Sequence, residues 1–390
     1  TWNTVQPSEM TQEYALDPDT GYYGYSTNDL TTTMISQGED IFGNKTATTT
    51  TNYYSYKINN RNIGKPNVYK SIALSESYDI TGTLTKNIST TQYLYIQDGA
   101  SYLIKDSQRV VKIRLDKVIN TNESEGSDIF GGHWNTIQPA AYTQQYVYSA
   151  DRKAFIFAVE DYKTTMITEG EDIFGAKTKT MADTYYSYKI NGENIGKPYI
   201  TKSVSITEST DILGNFTNSS NTTTYDYIKD GSLYKIGGVD RKVNYRLNEV
   251  TTTTSQSGSD LYGGSWSSSP YTINQDYSIK KWNNKDVFGY DINGIDAMTG
   301  GSFKVQTTGT GLDIFGNISA TQTDTTYQVI KGKTVTASSQ SVTTSVDVLG
   351  NETKSYSMAT YAYKLDPDNK FYVFDKIITE NWSEGADLYG

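Results

Sequence analysis

The sequence predicts an all-β protein of tandem β-hairpin repeats, arranged as an elongated β-solenoid or a continuous twisted sheet, with a β-propeller-like closed ring as the alternative. Three observations carry this. A turn whose fullest form is Gly-x-Asp-Ile-Phe-Gly, first met at Gly38 to Gly43, recurs nine times. A longer period of three such units lies on top of it. The composition favours strands: Thr, Ser and 34 Tyr dominate, Gly and Asn punctuate, and no long window carries a helical apolar stripe.

The nine turn aspartates are Asp40, Asp79, Asp128, Asp172, Asp211, Asp260, Asp313, Asp347 and Asp387, spaced 39, 49, 44, 39, 49, 53, 34 and 40 residues apart. Each is followed by an aliphatic residue, then usually an aromatic residue or Leu, then Gly. Turn chemistry explains the pattern. Asp at the first turn position accepts a hydrogen bond from the backbone two residues on, and Gly takes the left-handed position. The Ile and Phe between them are expected to point into the stack.

Two features mark the period of three. The residue two before the Asp is Gly in six units (Gly38, Gly126, Gly170, Gly258, Gly311, Gly385) and Ser in the middle unit of each triad (Ser77, Ser209, Ser345). Each triad also opens with a Trp: Trp2, Trp134 and Trp266. The first two run on as Trp-Asn-Thr-Val-Gln-Pro and Trp-Asn-Thr-Ile-Gln-Pro. The chain of 390 residues therefore divides into three modules: 1–131 (units 1–43, 44–82, 83–131), 132–263 (132–175, 176–214, 215–263) and 264–390 (264–316, 317–350, 351–390).

Within a unit a Thr-rich lead-in precedes a Tyr-x-Tyr strand, as at Tyr54-Ser55-Tyr56, Tyr93-Leu94-Tyr95 and Tyr186-Ser187-Tyr188. Alternation puts both rings on one face. Asp98-Gly99, Asn191-Gly192 and Asp230-Gly231 are expected at two-residue hairpin turns, where both positions take positive φ. Return strands alternate too, with Val111, Ile113 and Leu115 matched 132 residues later by Val243, Tyr245 and Leu247. Hydrophobic content of 36% and a mean hydropathy of −0.58 predict a thin core. Unit seven, the longest, carries Gly289, Gly294, Gly300 and Gly301 and is expected to hold an inserted loop or distorted hairpin.

The net charge of −10 with scattered Lys and Arg argues against nucleic acid as a partner, and no apolar run is long enough for membrane insertion. There is no Cys, which excludes disulfides and Cys-based zinc sites, and His133 is the single His, which excludes multi-His centres and His triads within one chain. Its counterparts in the other modules are Thr1 and Ser265, so it reads as a surface substitution. No pair among the acids is singled out for glycoside chemistry. Calcium is the one cofactor with candidates: the Asp-Pro-Asp turns at Asp17 and Asp19 and at Asp366 and Asp368 offer alternate carboxylates. The nine turn aspartates offer one carboxylate each and read as structural. Asn44, Asn215, Asn317 and Asn351 fall in Asn-x-Ser/Thr sequons that arise from the repeat itself.

At the level of Tyr-x-Tyr strand, Asn-Gly or Asp-Gly turn and Asp-Ile-Phe-Gly-Asn reversal, all nine units resemble the YD/RHS-type repeats of large bacterial extracellular proteins. The units here are about twice as long, and Tyr225-Asp226 is the only Tyr-Asp within such a strand. The resemblance implies an extracellular or cell-surface β-structure of many hairpins, and the longer period departs from that family's closed shell. Both ends fall in repeat register without a polar cap, so the expected partners are further copies or flanking repeats of the same protein. The expected function is a structural, non-catalytic piece of a filament, sheath or surface fibre. The alternative is an adhesin that binds glycans or a host surface through its aromatic faces or unit seven.

Overall fold

The computed structural model describes residues 2–7, 13–16, 21, 23–25, 30–40, 43–59, 61–79, 81–158, 161–236, 239–282, 285–297, 299–330, 333–365 and 372–386. They are all-β, with no helix among them, and 23 of the 25 strands belong to one sheet. A propeller would divide them among separate blades. The chain falls into two compact units, Thr1–Met181 with Asn194–Tyr199, and Ala182–Glu193 with Ile200–Gly390.

In the first unit, the strands Leu30–Glu39, Lys45–Ile58, Arg61–Tyr78, Leu84–Ile104 and Ser107–Ser127 form an antiparallel meander. The Thr-rich segments run along it as expected. Thr33 and Thr51 bond through their hydroxyls across one strand pair, and Thr48 and Ser75 across the next. Two shorter strands then lie in line beside Ser107–Ser127. His133–Ile137 pairs with its end and Tyr142–Ser149 with its middle, and the latter folds back on Ala154–Phe157. The strand Tyr162–Glu171 closes this group by pairing with His133–Ile137.

The second unit repeats the plan. Phe216–Ile236 and Val239–Ser259 form a long hairpin, beside which Ser265–Ser268 and Tyr271–Trp282 lie in line. Gly301–Leu312 pairs with Ser265–Ser268, and the meander continues through Ile318–Ile330, Lys333–Val346, Glu352–Leu365 and Tyr372–Ala386. Among the described residues, Tyr372–Ala386 is paired on one side only.

Two of the three expected dipeptide turns lie elsewhere. Asn191-Gly192 does turn the chain, with φ of 50° and 79°. Asp98-Gly99 and Asp230-Gly231 instead sit inside strands of 21 residues, Leu84–Ile104 and Phe216–Ile236, where the pairing register slips. They are bulges, and the first hairpin turns at Lys105 and Asp106, whose φ values are 47° and 63°. The reason is that Asp-Gly supplies positive φ equally well to a bulge and to a turn.

The core is thin, as expected, and is best developed around unit seven, where an inserted loop or a distorted hairpin was expected. Ile292, Ala297, Phe303, Val305 and Val329 form a buried cluster packed by Tyr271, Ile273, Tyr290, Ile295 and Tyr327. Asn293-Gly294 turns Lys285–Ile292 onto Ile295–Asp296, so the Gly-rich stretch belongs to a folded-back hairpin and not to a loop. Lys280 is tucked under it, its Nζ 2.5 Å from Asp291 and 2.8 Å from Asp296. Elsewhere cohesion is distributed over cross-strand aromatic pairs: Tyr146 with Phe157 at 4.5 Å, Phe303 with Tyr327 at 5.4 Å, and Tyr356 stacked on Trp382 at 5.1 Å. Pairs of this kind contribute roughly 0.2–1 kcal/mol each, so stability accumulates from many small steps.

Candidate functional site

Three constructions recur in the fold, and each has to be weighed as a site. The first is the Asp turn. In each described case the Asp N–H donates to the carbonyl four residues on, and the Gly N–H donates back to the Asp carbonyl, as from Gly350 to Asp347 at 2.9 Å. The Gly φ lies near 90°, as at Gly43, Gly175 and Gly350. This is a three-residue hairpin loop closed by a bulge. In the four described turns that close with Asn, both carboxylate oxygens are engaged. Asp347 Oδ1 accepts from the N–H groups of Leu349 at 2.8 Å and Asn351 at 2.9 Å, and Oδ2 accepts from Asn351 Nδ2 at 2.8 Å. Asp40, Asp211 and Asp313 are bound to Asn44, Asn215 and Asn317 in the same way.

Asp211 and Asp347 lie below the usual carboxylate range because the Asn side chain donates to them, and Asp79 because the Thr81 hydroxyl does. A carboxylate so occupied has little left to offer a cation, and among the described residues no three acidic or His side chains converge to hold a metal. The side-chain amides of Asn44, Asn215, Asn317 and Asn351 are likewise engaged. Asp17, Asp19, Asp366, Asp368 and Asp387 lie outside the described residues. His133 is exposed on its strand, opposite Ser127 and Glu171.

The turn tips do not point into a stack. Phe130, Phe174 and Phe315 are 73%, 72% and 72% exposed, and Leu213, Tyr262 and Leu349 are exposed as well. The cause is the loop type, in which Asp and Gly close the base and leave the two intervening side chains outside. Only the first of the two finds partial shelter. The position a Cβ would take on Gly82 lies 2.5 Å from Ile129 Cγ2, and that on Gly316 lies 3.2 Å from Val348 Cγ1. Each therefore leans over the glycine of a neighbouring turn.

The second construction is an arginine clamp at each bulge. Asp98 accepts from the Ala100 N–H at 3.0 Å, the Tyr102 hydroxyl at 2.8 Å and Arg114 Nε at 2.7 Å. Arg114 Nη1 reaches on to the carbonyl of Tyr146 at 3.1 Å. Asp230, Tyr234, Arg246 and the Tyr277 carbonyl repeat it. Such a cluster of perturbed groups could suggest chemistry. Here the Asp carboxylate and the Nε and Nη1 of the Arg are bonded to the chain itself, which makes it a fastening between strands. Nothing in the composition announced it, although Asp98, Tyr102 and Arg114 recur 132 residues on as Asp230, Tyr234 and Arg246.

The third construction joins two features that look independent in the sequence. Trp134 stands opposite Gly126 on one flanking strand and Gly170 on the other, and Trp266 stands opposite Gly258 and Gly311. The indole lies flat on the first glycine of each pair. A Cβ on Gly126 would come within 2.0 Å of the Trp134 ring, and one on Gly258 within 2.5 Å of Trp266 Nε1. Gly two before the Asp is therefore the mark of a strand that borders a Trp strand. Ser77, Ser209 and Ser345 occur on strands that do not.

A groove of about 690 Å³ opens beside Trp266 and is lined by Phe216, Leu312, Ile318 and the flanking Asp turns. Its turn carboxylates and amides are already paired within the chain. Comparison with protein-family models, curated protein sequences and solved structures finds no match to this chain.

Proposed function

We propose that this chain is a non-catalytic structural repeat protein of an extracellular filament, sheath or surface fibre, extended through its sheet edges by further copies or flanking repeats. The observation that carries this reading is the strand Tyr372–Ala386. It offers a free edge among the described residues and exposes Phe374, Ile377, Ile378 and Trp382. Folded proteins ordinarily blunt a long edge strand with charge, Pro or a covering segment, because its unpaired N–H and C=O groups template pairing. The consumed turn carboxylates and the inward-turned arginine clamps favour cohesion over turnover. The resemblance to YD-type repeats supports the extracellular setting.

Negative-stain electron microscopy across a concentration series tests it. Filaments that lengthen with concentration are expected, and monodisperse particles at every concentration would sink the reading. One observation favours a second reading, a glycan-binding adhesin: the exposed Trp266 face of the groove is the kind of platform on which sugar rings stack. Quenching of Trp fluorescence by a glycan panel, abolished by Trp266→Ala, would move the weight there.

A further inference from the structure

We propose that Lys280 and Asp291 join covalently, by an amide bond between Nζ and Cγ, with Asp296 as the base that relays the proton. The inference lies outside the filament reading and stands on the geometry beneath the unit-seven hairpin.

Three side chains meet there. Lys280 leaves the strand Tyr271–Trp282, Asp291 the strand Lys285–Ile292, and Asp296 the short strand Ile295–Asp296. Register sets Asp291 directly opposite Asp296 on one side and Asp276 on the other, so three carboxylates stand abreast on one face. Like charges so placed repel. Lys280 pairs with Val287, and by alternation it shares that face. Between Val287 and Asp291 the row holds only Gly289, opposite Ser278, so the lysine runs towards Asp291 past a position without a side chain.

Nζ lies 2.5 Å from Asp291 Oδ1 and 2.8 Å from Asp296 Oδ2. The Lys280 side chain is 14% exposed, whereas Lys86, Lys153 and Lys229, which also pair with acids, are 36%, 43% and 54% exposed. A shielded amine held in contact with a carboxyl group has the proximity that an intramolecular condensation needs.

The repeat shows what an ordinary joint does without. Arg246 bonds the Tyr277 carbonyl as Arg114 bonds that of Tyr146, and Tyr277 pairs with Tyr290 as Tyr146 pairs with Phe157. Counted from there, Lys280 corresponds to Ser149, Asp276 to Gln145 and Asp291 to Ala158. The second module therefore builds the matching hairpin with neither the amine nor its acceptor. Unit seven carries both, and its short strand brings the base.

A base is required. Burial opposes the charge on Lys280, but its bonds to Asp291 and Asp296 outweigh burial and raise its pKa, so the lysine starts as the ammonium. Asp296 takes one ammonium proton and passes it to an Asp291 oxygen, while the lone pair freed on Nζ attacks Asp291 Cγ. The C–N bond forms and the bond from Cγ to that oxygen breaks. The oxygen leaves as water with a second proton from the nitrogen, and the third stays on the amide. Asp296 ends as the carboxylate it was, and no oxidant is consumed. The product staples two strands through residues 11 apart, in a chain that has no Cys.

Intact-mass spectrometry of the full chain, followed by tryptic digestion, tests the bond. The expected mass is that of the sequence less one water. Cleavage after Lys280 should be blocked, and a branched peptide should join the segment ending at Lys281 to the one beginning at Asp286. Lys280→Arg, which keeps the charge, and Asp296→Asn are expected at full mass without the branched peptide. An unmodified chain that stays at full mass through prolonged incubation in the folded state would overturn the proposal. Water loss without the branched peptide would overturn it too, since ring closure at Asp98-Gly99 or Asp230-Gly231 also sheds water. A branched peptide in Asp296→Asn would remove Asp296 as the base. The unmodified chain decides the first two outcomes, so they hold even where a variant fails to fold.

Discussion

Arg114 Nε donates to Asp98 Oδ2 at 2.7 Å from a strand sixteen residues away, and the pair is the fastening on which a bulge, a tyrosine and the next strand converge. Both side chains are largely shielded. Truncation of the arginine leaves Asp98 with the Ala100 N–H and the Tyr102 hydroxyl and leaves the Tyr146 carbonyl without this donor. Arg114→Met is therefore expected to lower unfolding free energy by about 1–3 kcal/mol, the usual cost of orphaning a buried polar group. Urea unfolding measures it. Asp98→Asn together with Arg114→Met should cost less than the sum of the two alone, because each removes the same pair.

The same carboxylates set the acid limit. Asp230 is drawn down to about 2, first by the Ser232 hydroxyl and then by Arg246 and Tyr234, against burial; Asp98, Asp211 and Asp347 move in the same direction. A folded-state pKa below the unfolded one adds stability that is fully present above the ordinary carboxylate range and is lost as pH falls through the folded value. The urea midpoint should be flat from neutrality to about pH 5 and fall steeply from about 4 towards 2. At the alkaline end, burial raises Tyr95, Tyr146, Tyr277 and Tyr327 above 10.0, so the folded state favours the neutral phenols and stability falls once pH passes that value. Asp230→Asn should give a shallower acid limb, and an unchanged limb would remove Asp230 from the explanation.

Much of this was legible in the residues, and what was not has physical causes. The Asp turns, the Thr ladders and the thin core follow from local patterns, because each depends on neighbours within a few residues or directly across a hairpin. Asp98-Gly99 misled because positive φ does not distinguish a bulge from a turn. For unit seven the glycines left a loop and a distorted hairpin open, and the structure shows the hairpin, turned at Asn293-Gly294 near the buried Phe303 and Val329. The Trp and Gly markers were visible separately, but their contact spans strands that only the fold brings together.

That contact yields a steric prediction. Gly126→Val and Gly258→Val each drive a branched side chain into an indole, and overpacking of this sort typically costs about 1–3 kcal/mol. Thermal unfolding should register both losses. Gly131→Ala serves as the contrast, since a Cβ there meets nothing within 4 Å and only its φ of 104° is strained. If Gly126→Val were tolerated as well as a surface change, the indole would not be seated as described.

Calcium separates two kinds of aspartate. Both carboxylate oxygens of Asp347 are occupied by N–H groups, so Asp347→Asn should leave any calcium response of the unfolding midpoint intact. A response carried by the Asp-Pro-Asp turns should vanish in Asp17→Asn with Asp19→Asn, or in Asp366→Asn with Asp368→Asn. A midpoint rise with calcium that disappears in Asp347→Asn instead would make the turn carboxylate a ligand.

The turn tips provide the last test, because adjacent residues of one loop are placed differently. Ile129 leans over Gly82, whereas Phe130 extends into solvent. Phe130→Ser should therefore change stability by no more than about 0.5 kcal/mol, the range for exposed positions, and Ile129→Ser should cost more. Equal losses would mean that Phe130 is packed after all. If Phe130, Phe174 and Phe315 are changed to Ser together, the urea midpoint should hold while binding of a hydrophobic dye falls. That combination would show that the tips are displayed surface, and a fall in the midpoint would show that they brace the sheet.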